Sequence, residues 1–194
     1  YENTYKDTDD STIKTKIDTW YKTNIEDKGY SKYLSDAIFC NDRTVASGDG
    51  SSLEATTCYG AYNRNATKKT PSLKCPRQVD QFTKTKGSTL GNGELTYPVG
   101  LITTDEVVLA GGKAWTKNQS YWLNTGQVYW TMSPSNFYSW NGVAYVWSVD
   151  GVGFLGNSWT TYALGVRPVI NLKSEISLSK GDGSVNNPYT IKES

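Results

Sequence analysis

The chain has 194 residues, which suits one domain, and at that length a core can bury roughly two-thirds of the unfolded chain's surface. Twenty basic and 19 acidic residues leave a net charge of +1 with no basic patch, so neither nucleic acid nor an anionic membrane is indicated as a partner. Histidine is absent, which removes the commonest general base near neutral pH and the commonest zinc ligand together.

Tyr1 opens a polar stretch without a leader pattern, so the chain reads as mature or trimmed. Residues 1–9 are polar and expected to fray. Asp10 is expected to cap a helix in which Ile13, Ile17, Trp20 and Tyr21 recur at helical spacing as one apolar stripe, ending between Asn24 and Gly29. A turn follows, and Ala37, Ile38 and Phe39 read as buried, which makes 10–40 a helix with its lead-in. Residues 41–94 are rich in Gly, Ser, Thr, Asn and Lys without periodicity, and read as an irregular insertion with short strands at most.

Regularity returns at Leu95. Thr103 and Glu106 have capping-box spacing ahead of Val107, Val108 and Leu109, and Gly111-Gly112 suits a left-handed stop. Short strands are expected at 121–123, 128–132, 143–149, 153–155 and 165–172, bounded by Gly, Ser, Asn or Pro. Residues 95–173 therefore form the core. The tail, 174–194, reads as a hairpin of 176–178 against 189–191 across Gly181-Asp182-Gly183. Two short helices and a small twisted antiparallel sheet with long irregular loops make an α+β domain.

Cys40, Cys58 and Cys75 show no CxxC spacing and are too few for a structural zinc site without histidine. Three disulfide pairings are open, as is a reduced chain. Cys40–Cys75 is favoured, because Cys40 follows an apolar run and Cys75 closes a long polar segment. Closing that loop is worth roughly 3–4 kcal/mol in the chain-entropy view.

The strongest functional signal lies between 118 and 165. Twelve aromatic residues fall there, with one charged residue, Asp150, and a remainder mostly of Ser, Thr, Asn and Gly. Tyr and Trp mixed with small polar residues is the composition of a paratope, where flat rings supply area at low entropic cost. An aromatic β core with polar turns is the competing reading.

YWTMSP (129–134), then Ala144, Val146, Val149, Gly153 and Leu155, then GVRPVINL (165–172) form a framework, preceded by YPVGLITTDEVVLAGG (97–112). This framework resembles a family of bacterial and phage proteins with the C-type-lectin fold, in the formylglycine-generating-enzyme-like branch. Its members include the variable proteins of diversity-generating retroelements. The resemblance covers about 95–173, and more loosely Asp36 to Arg43 and the first helix. It implies a C-type-lectin-like fold in which Arg167 and Asn171 tie the final strand in. It also implies a receptor- or adhesin-type surface of diversified positions. Carried over, these are Ser135, Asn136, Tyr138, Trp140, Asn141, Ser148, Asp150, Phe154, Gly156, Asn157, Trp159, Thr161 and Tyr162.

The rival functions lack their residues. Calcium-dependent sugar lectins use EPN or QPD and WND motifs, and here Trp140-Asn141-Gly142 has glycine where the ligating aspartate belongs. The formylglycine-generating oxidase needs C-terminal cysteines, and none follows Cys75. Adjacent carboxylates such as Asp105-Glu106 cannot flank a bond from opposite sides. The reading is therefore a non-enzymatic binding domain that needs no metal or cofactor. It is expected outside the cell, at a cell surface or on a phage particle, with a protein ligand preferred to a glycan and no membrane insertion. A calcium-independent sugar-binding module and a passive structural module are the alternatives.

Overall fold

The computed structural model describes residues 10–50, 54–87, 90–184 and 186–192. Residues 1–9, expected to fray, lie outside the described residues. Helix α1 (Thr12–Tyr21) starts one residue later than the sequence suggests. Ser11, not Asp10, is the cap, because its shorter hydroxyl accepts from the Lys14 amide at 3.2 Å. The helix widens into a π-type turn over Lys22–Glu26, keeping Ile17, Tyr21 and Ile25 on one buried stripe. Strands β1 (Leu34–Ser35) and β2 (Phe39–Cys40) follow. Of the apolar trio before Cys40, Phe39 is buried, whereas Ile38 is exposed, as alternation along an extended chain requires.

Residues 41–94 contribute more regular structure than their composition suggests. Here lie β3 (Val45–Ser47), β4 (Thr57–Tyr59), α2 (Gly60–Tyr62) with a π-type continuation over Asn63–Lys68, β5 (Gln81–Phe82), β6 (Lys86–Gly87) and β7 (Gly91–Asn92). Buried ion pairs hold the segment down. The Arg64 guanidinium donates to both Asp105 carboxylate oxygens at 2.9 and 2.8 Å and to Asp42 at 2.7 Å. Hydrogen bonding to Asp105 first, and then to Asp42, holds the Arg64 pKa well above the ordinary arginine range against the opposing cost of burial. Arg43 Nε reaches the fully buried Asp80 at 2.7 Å. The disulfide joins Cys40 and Cys75, leaving Cys58 as the free cysteine.

Helix α3 (Thr104–Leu109) carries the expected capping box, Thr103 with Glu106, and its exit reaches Gly111 at φ 108°. Strands β8 (Tyr129–Tyr138), β9 (Val143–Val149) and β10 (Leu155–Trp159) then form three consecutive antiparallel members of a five-stranded sheet in the order β10-β9-β8-β4-β3. Two members of that sheet thus come from 41–94. Pro134 sits in β8 where the register with β9 shifts, beyond the two positions at which β4 pairs.

The remaining strands are short: β11 (Asn171–Leu172) on β1, and β12 (Leu178–Lys180) with β13 (Thr190–Ile191) as the tail hairpin. The expected strand at 121–123 is a turn instead. Tyr121 is buried there through its hydroxyl contact with Tyr129, while Trp122 points to solvent. The expected strand at 165–172 shrinks to β11 plus isolated bridges at Gly165 and Val169. Arg167 ties it down as expected, donating to the Leu123 carbonyl at 2.7 Å and stacking 4.5 Å over the Tyr129 ring. The architecture is α+β with small antiparallel sheets, and among the described residues no helix is long and apolar enough to cross a membrane.

Candidate ligand-binding face

Strand register assigns each side chain of the sheet to a face. Trp130 and Val146 lie on one face and pack against Ile17, Tyr21 and Ile25 of the α1 segment, with Val99 and Leu101. Tyr129, Trp147, Val149 and Leu155 lie on the other, beneath Ala61 of α2, Val107 of α3, Ala114 and Tyr121. Both faces are therefore covered at the α3 end of the strands.

The second face continues beyond Trp147. Trp147 is opposite Asn157, Tyr145 opposite Trp159, Asn136 opposite Tyr145, and Cys58 opposite Asn136. Tyr138 follows Asn136 by two residues and shares its face. Beyond Trp147 these residues lie outside the buried cluster beneath α2 and α3, and the rings meet one another. Trp140 lies 6.3 Å from Tyr138, Tyr138 meets Tyr145 edge-on at 4.7 Å, and Tyr145 meets Trp159 edge-on at 6.1 Å. Trp159 stacks on Tyr162 at 5.5 Å. Five rings make one unbroken ladder. Its ends are the most open, with Trp140 74% and Tyr162 52% exposed.

The ladder rests on a polar floor. Asn157 Nδ2 donates to Ser135 Oγ at 3.0 Å and Asn136 Oδ1 at 3.2 Å, while Asn136 Nδ2 donates to the Cys58 sulfur at 3.1 Å. Burial, and then the neighbouring Tyr62 phenol, push the Tyr138 pKa above the ordinary tyrosine range, so this ring stays neutral at physiological pH. Asp150 spends its charge locally, its carboxylate accepting from the Val152 and Phe154 amides at 2.9 and 2.8 Å in the β9–β10 turn. The ladder and its floor are thus aromatic, hydrogen-bonding and uncharged.

Four of the five aromatics expected on one surface are there: Tyr138, Trp140, Trp159 and Tyr162. Phe154 is not. It lies half-buried against Trp115, in a second cluster with Tyr62 and Trp147. Asn141 shapes the β8–β9 turn below Trp140, accepting from the Val143 amide at 3.1 Å, and Thr161 is exposed in the turn before Tyr162. The expected display of Ser135, Asn136, Ser148 and Gly156 is corrected by their burial. Ser135 and Asn136 lie on a central strand flanked on both sides, and Ser148 pairs its hydroxyl with Ser158 across the strands at 2.9 Å.

Sequence reasoning missed two residues. Tyr145 was legible as an alternation partner of Trp147 once β9 was recognised. Trp115, 41% exposed, sits outside the aromatic segment and comes to its border only through pairing with Leu155. A separate cleft of about 300 Å³ beside the disulfide is lined by Asp42, Arg64 and Asp105, whose charges already satisfy each other. Comparison of the chain with known families, curated proteins and solved structures finds no match.

Proposed function

We propose that this domain binds a protein ligand through the ladder Trp140–Tyr138–Tyr145–Trp159–Tyr162. One observation carries the reading: the five rings are contiguous on one face of the sheet, and Trp140, Trp159 and Tyr162 among them are exposed. Rings of this kind, set among Asn and Ser, supply area and adaptable hydrogen bonds, which suits a protein surface. The scaffold reading is a C-type-lectin-like module. It is supported by the capped helix within 97–112, the antiparallel strands built from 129–159 and the anchoring of Arg167. A disulfide suits an oxidising compartment, which supports presentation at a cell surface or on a phage particle. Diversification of the exposed ladder positions by a retroelement belongs to the same proposal. A near-identical coding copy beside a reverse transcriptase, differing only at adenines, is its test.

The binding reading is tested with the variant Trp140→Ser/Trp159→Ser/Tyr162→Ser. It is expected to stay folded, because these side chains are exposed, and to lose capture of partner from cell-surface extracts. A folded variant that captures as well as the parent places the site elsewhere. The flat stack of Trp159 on Tyr162 also favours a second reading, a calcium-independent sugar site. Capture that disappears when the extract is deglycosylated, and is indifferent to chelator, selects it.

A further inference from the structure

We infer that the open edge of β10 pairs with an extended, uncharged peptide segment of the partner, which adds a strand to the sheet. This rests on the binding-face reading above and states the form in which a protein ligand is presented.

Strand β10 is the end strand of the five-stranded sheet. Opposed residues of an antiparallel pair alternate between hydrogen-bonded and non-bonded positions. The Asp150 amide donates to the Phe154 carbonyl at 3.0 Å and the Thr160 amide to the Ala144 carbonyl at 3.1 Å, which fixes the phase. Gly156 and Ser158 therefore bond inward to β9, while Leu155, Asn157 and Trp159 turn their main-chain groups outward.

Some of these outward groups are already used. The Leu155 carbonyl accepts from the Trp115 amide at 2.8 Å and the Trp159 carbonyl from the Tyr162 amide at 2.9 Å. Among the described residues no backbone group pairs with the N–H and C=O of Asn157 or with the N–H of Trp159.

The chain itself begins to cover this edge and then leaves it. Ala114 bridges Leu155 in parallel, but Trp115 adopts φ 62°, a left-handed backbone rare outside glycine, and the chain turns away. An exposed edge is normally protected by a charge, a proline or a bulge. β10 reads Leu-Gly-Asn-Ser-Trp and has none of these, and its pairing with β9 is regular.

The same strand carries Trp159 of the ladder and Asn157 of the polar floor. A ligand strand along β10 would hydrogen-bond with Asn157 and Trp159 while laying alternate side chains across Trp159 and Tyr162. Only an extended peptide repeats a donor and an acceptor at the spacing of this edge. Because neither β10 nor the ring ladder supplies a charge to offset an ionised side chain, the fitting segment is uncharged and β-forming, rich in Thr, Val and Ser.

The test compares Asn157→Pro with Asn157→Ala. Both lose the side-chain bonds to Ser135 and Asn136, but only proline deletes the outward N–H. It leaves the β9 pairing intact, since the Asn157 amide does not face β9. The probe is a displayed library of random peptides of about ten residues, selected on the parent domain. Selected peptides are expected to be uncharged and to bind the Pro variant at least about fivefold more weakly than the Ala variant, the effect of one lost hydrogen bond beyond the loss of the side chain that both share. Methylation of alternate amides in the peptide should weaken binding similarly.

Equal binding to the two variants overturns the inference, as does failure to select any peptide. A concentration-dependent dimer of the parent that Asn157→Pro dissolves would assign the edge to a second copy, and also overturns it. Peptides that lose binding to the triple ladder variant but tolerate Asn157→Pro would sink the edge inference and leave the face reading standing. Indifference to both variants would sink both.

Discussion

Replacing Arg64 with methionine keeps most of the side chain's volume and deletes its charge, which isolates the ion cluster that fastens 41–94 to α3. The guanidinium bridges Asp42 and Asp105, whose side chains are 3% and 4% exposed. Without it, Asp42 retains the Thr44 amide at 3.0 Å and Asp105 the Ser72 amide at 2.9 Å, but neither carboxylate keeps a counter-charge. Breaking a buried pair from one side costs about 3–5 kcal/mol, and the partial exposure of Arg64 places the expected loss near the lower end, at about 3 kcal/mol. In urea, with a slope of about 2 kcal/mol/M, the unfolding midpoint should fall by about 1.5 M. Tryptophan fluorescence is a suitable probe. The variant Arg64→Met/Asp42→Asn/Asp105→Asn, which removes all three charges, should recover a good part of the loss, because uncompensated burial rather than the missing attraction dominates the cost. A single variant within about 1 kcal/mol of the parent would show that the pairs behave as surface ion pairs, and the anchoring argument would fail.

Three further outcomes follow from the same structure. Cys40→Ala/Cys75→Ala releases a loop with ends 35 residues apart, and should cost about 4 kcal/mol by the loop-entropy estimate. Peptide mapping without reductant that found Cys58 in the bridge would contradict the pairing. Arg167→Ala loses the bond to the Leu123 carbonyl and the stacking over Tyr129, a loss of about 2 kcal/mol, while Trp140→Ser should leave the melting temperature nearly unchanged. The reverse ranking would invert the division between scaffold and face. Burial, and then the bond to Tyr129, raise the Tyr121 pKa, so its neutral form is favoured in the folded state. That contribution is complete below about pH 10, the value in an unfolded chain, and fades as pH rises toward the folded value. Tyr121→Phe should flatten the alkaline fall in stability, and an unchanged alkaline slope would assign the fall to other groups.

Local chemistry was legible wherever it acts over a few residues. The α1 stripe, the capping box at Thr103 and Glu106, the strands within 129–149 and the helix-ending glycine at Gly111 follow from spacing and backbone preference, which a sequence displays directly. The aromatic, uncharged character of 118–165 is likewise a property of composition. The α1 cap was misplaced by one residue because aspartate and serine are similar caps, and only the observed bond distinguishes them.

What the tertiary structure decided is which of those residues meet. Composition offers Phe154 and Tyr145 equally. Register puts Tyr145 into the ladder opposite Trp159, and Phe154 falls beside Trp115 instead. Ser135 and Asn136 look like display positions until β4 and β9 flank their strand. The segment 41–94 looks irregular because its order is non-local: Arg64 finds Asp105 across 41 residues, and Arg43 finds Asp80 across 37. Periodicity reports only the burial of one element's own face. Pairing between distant charges and the choice of strand neighbours leave no periodic trace, so the chain supplied the rings and the fold alone arranged them into a face.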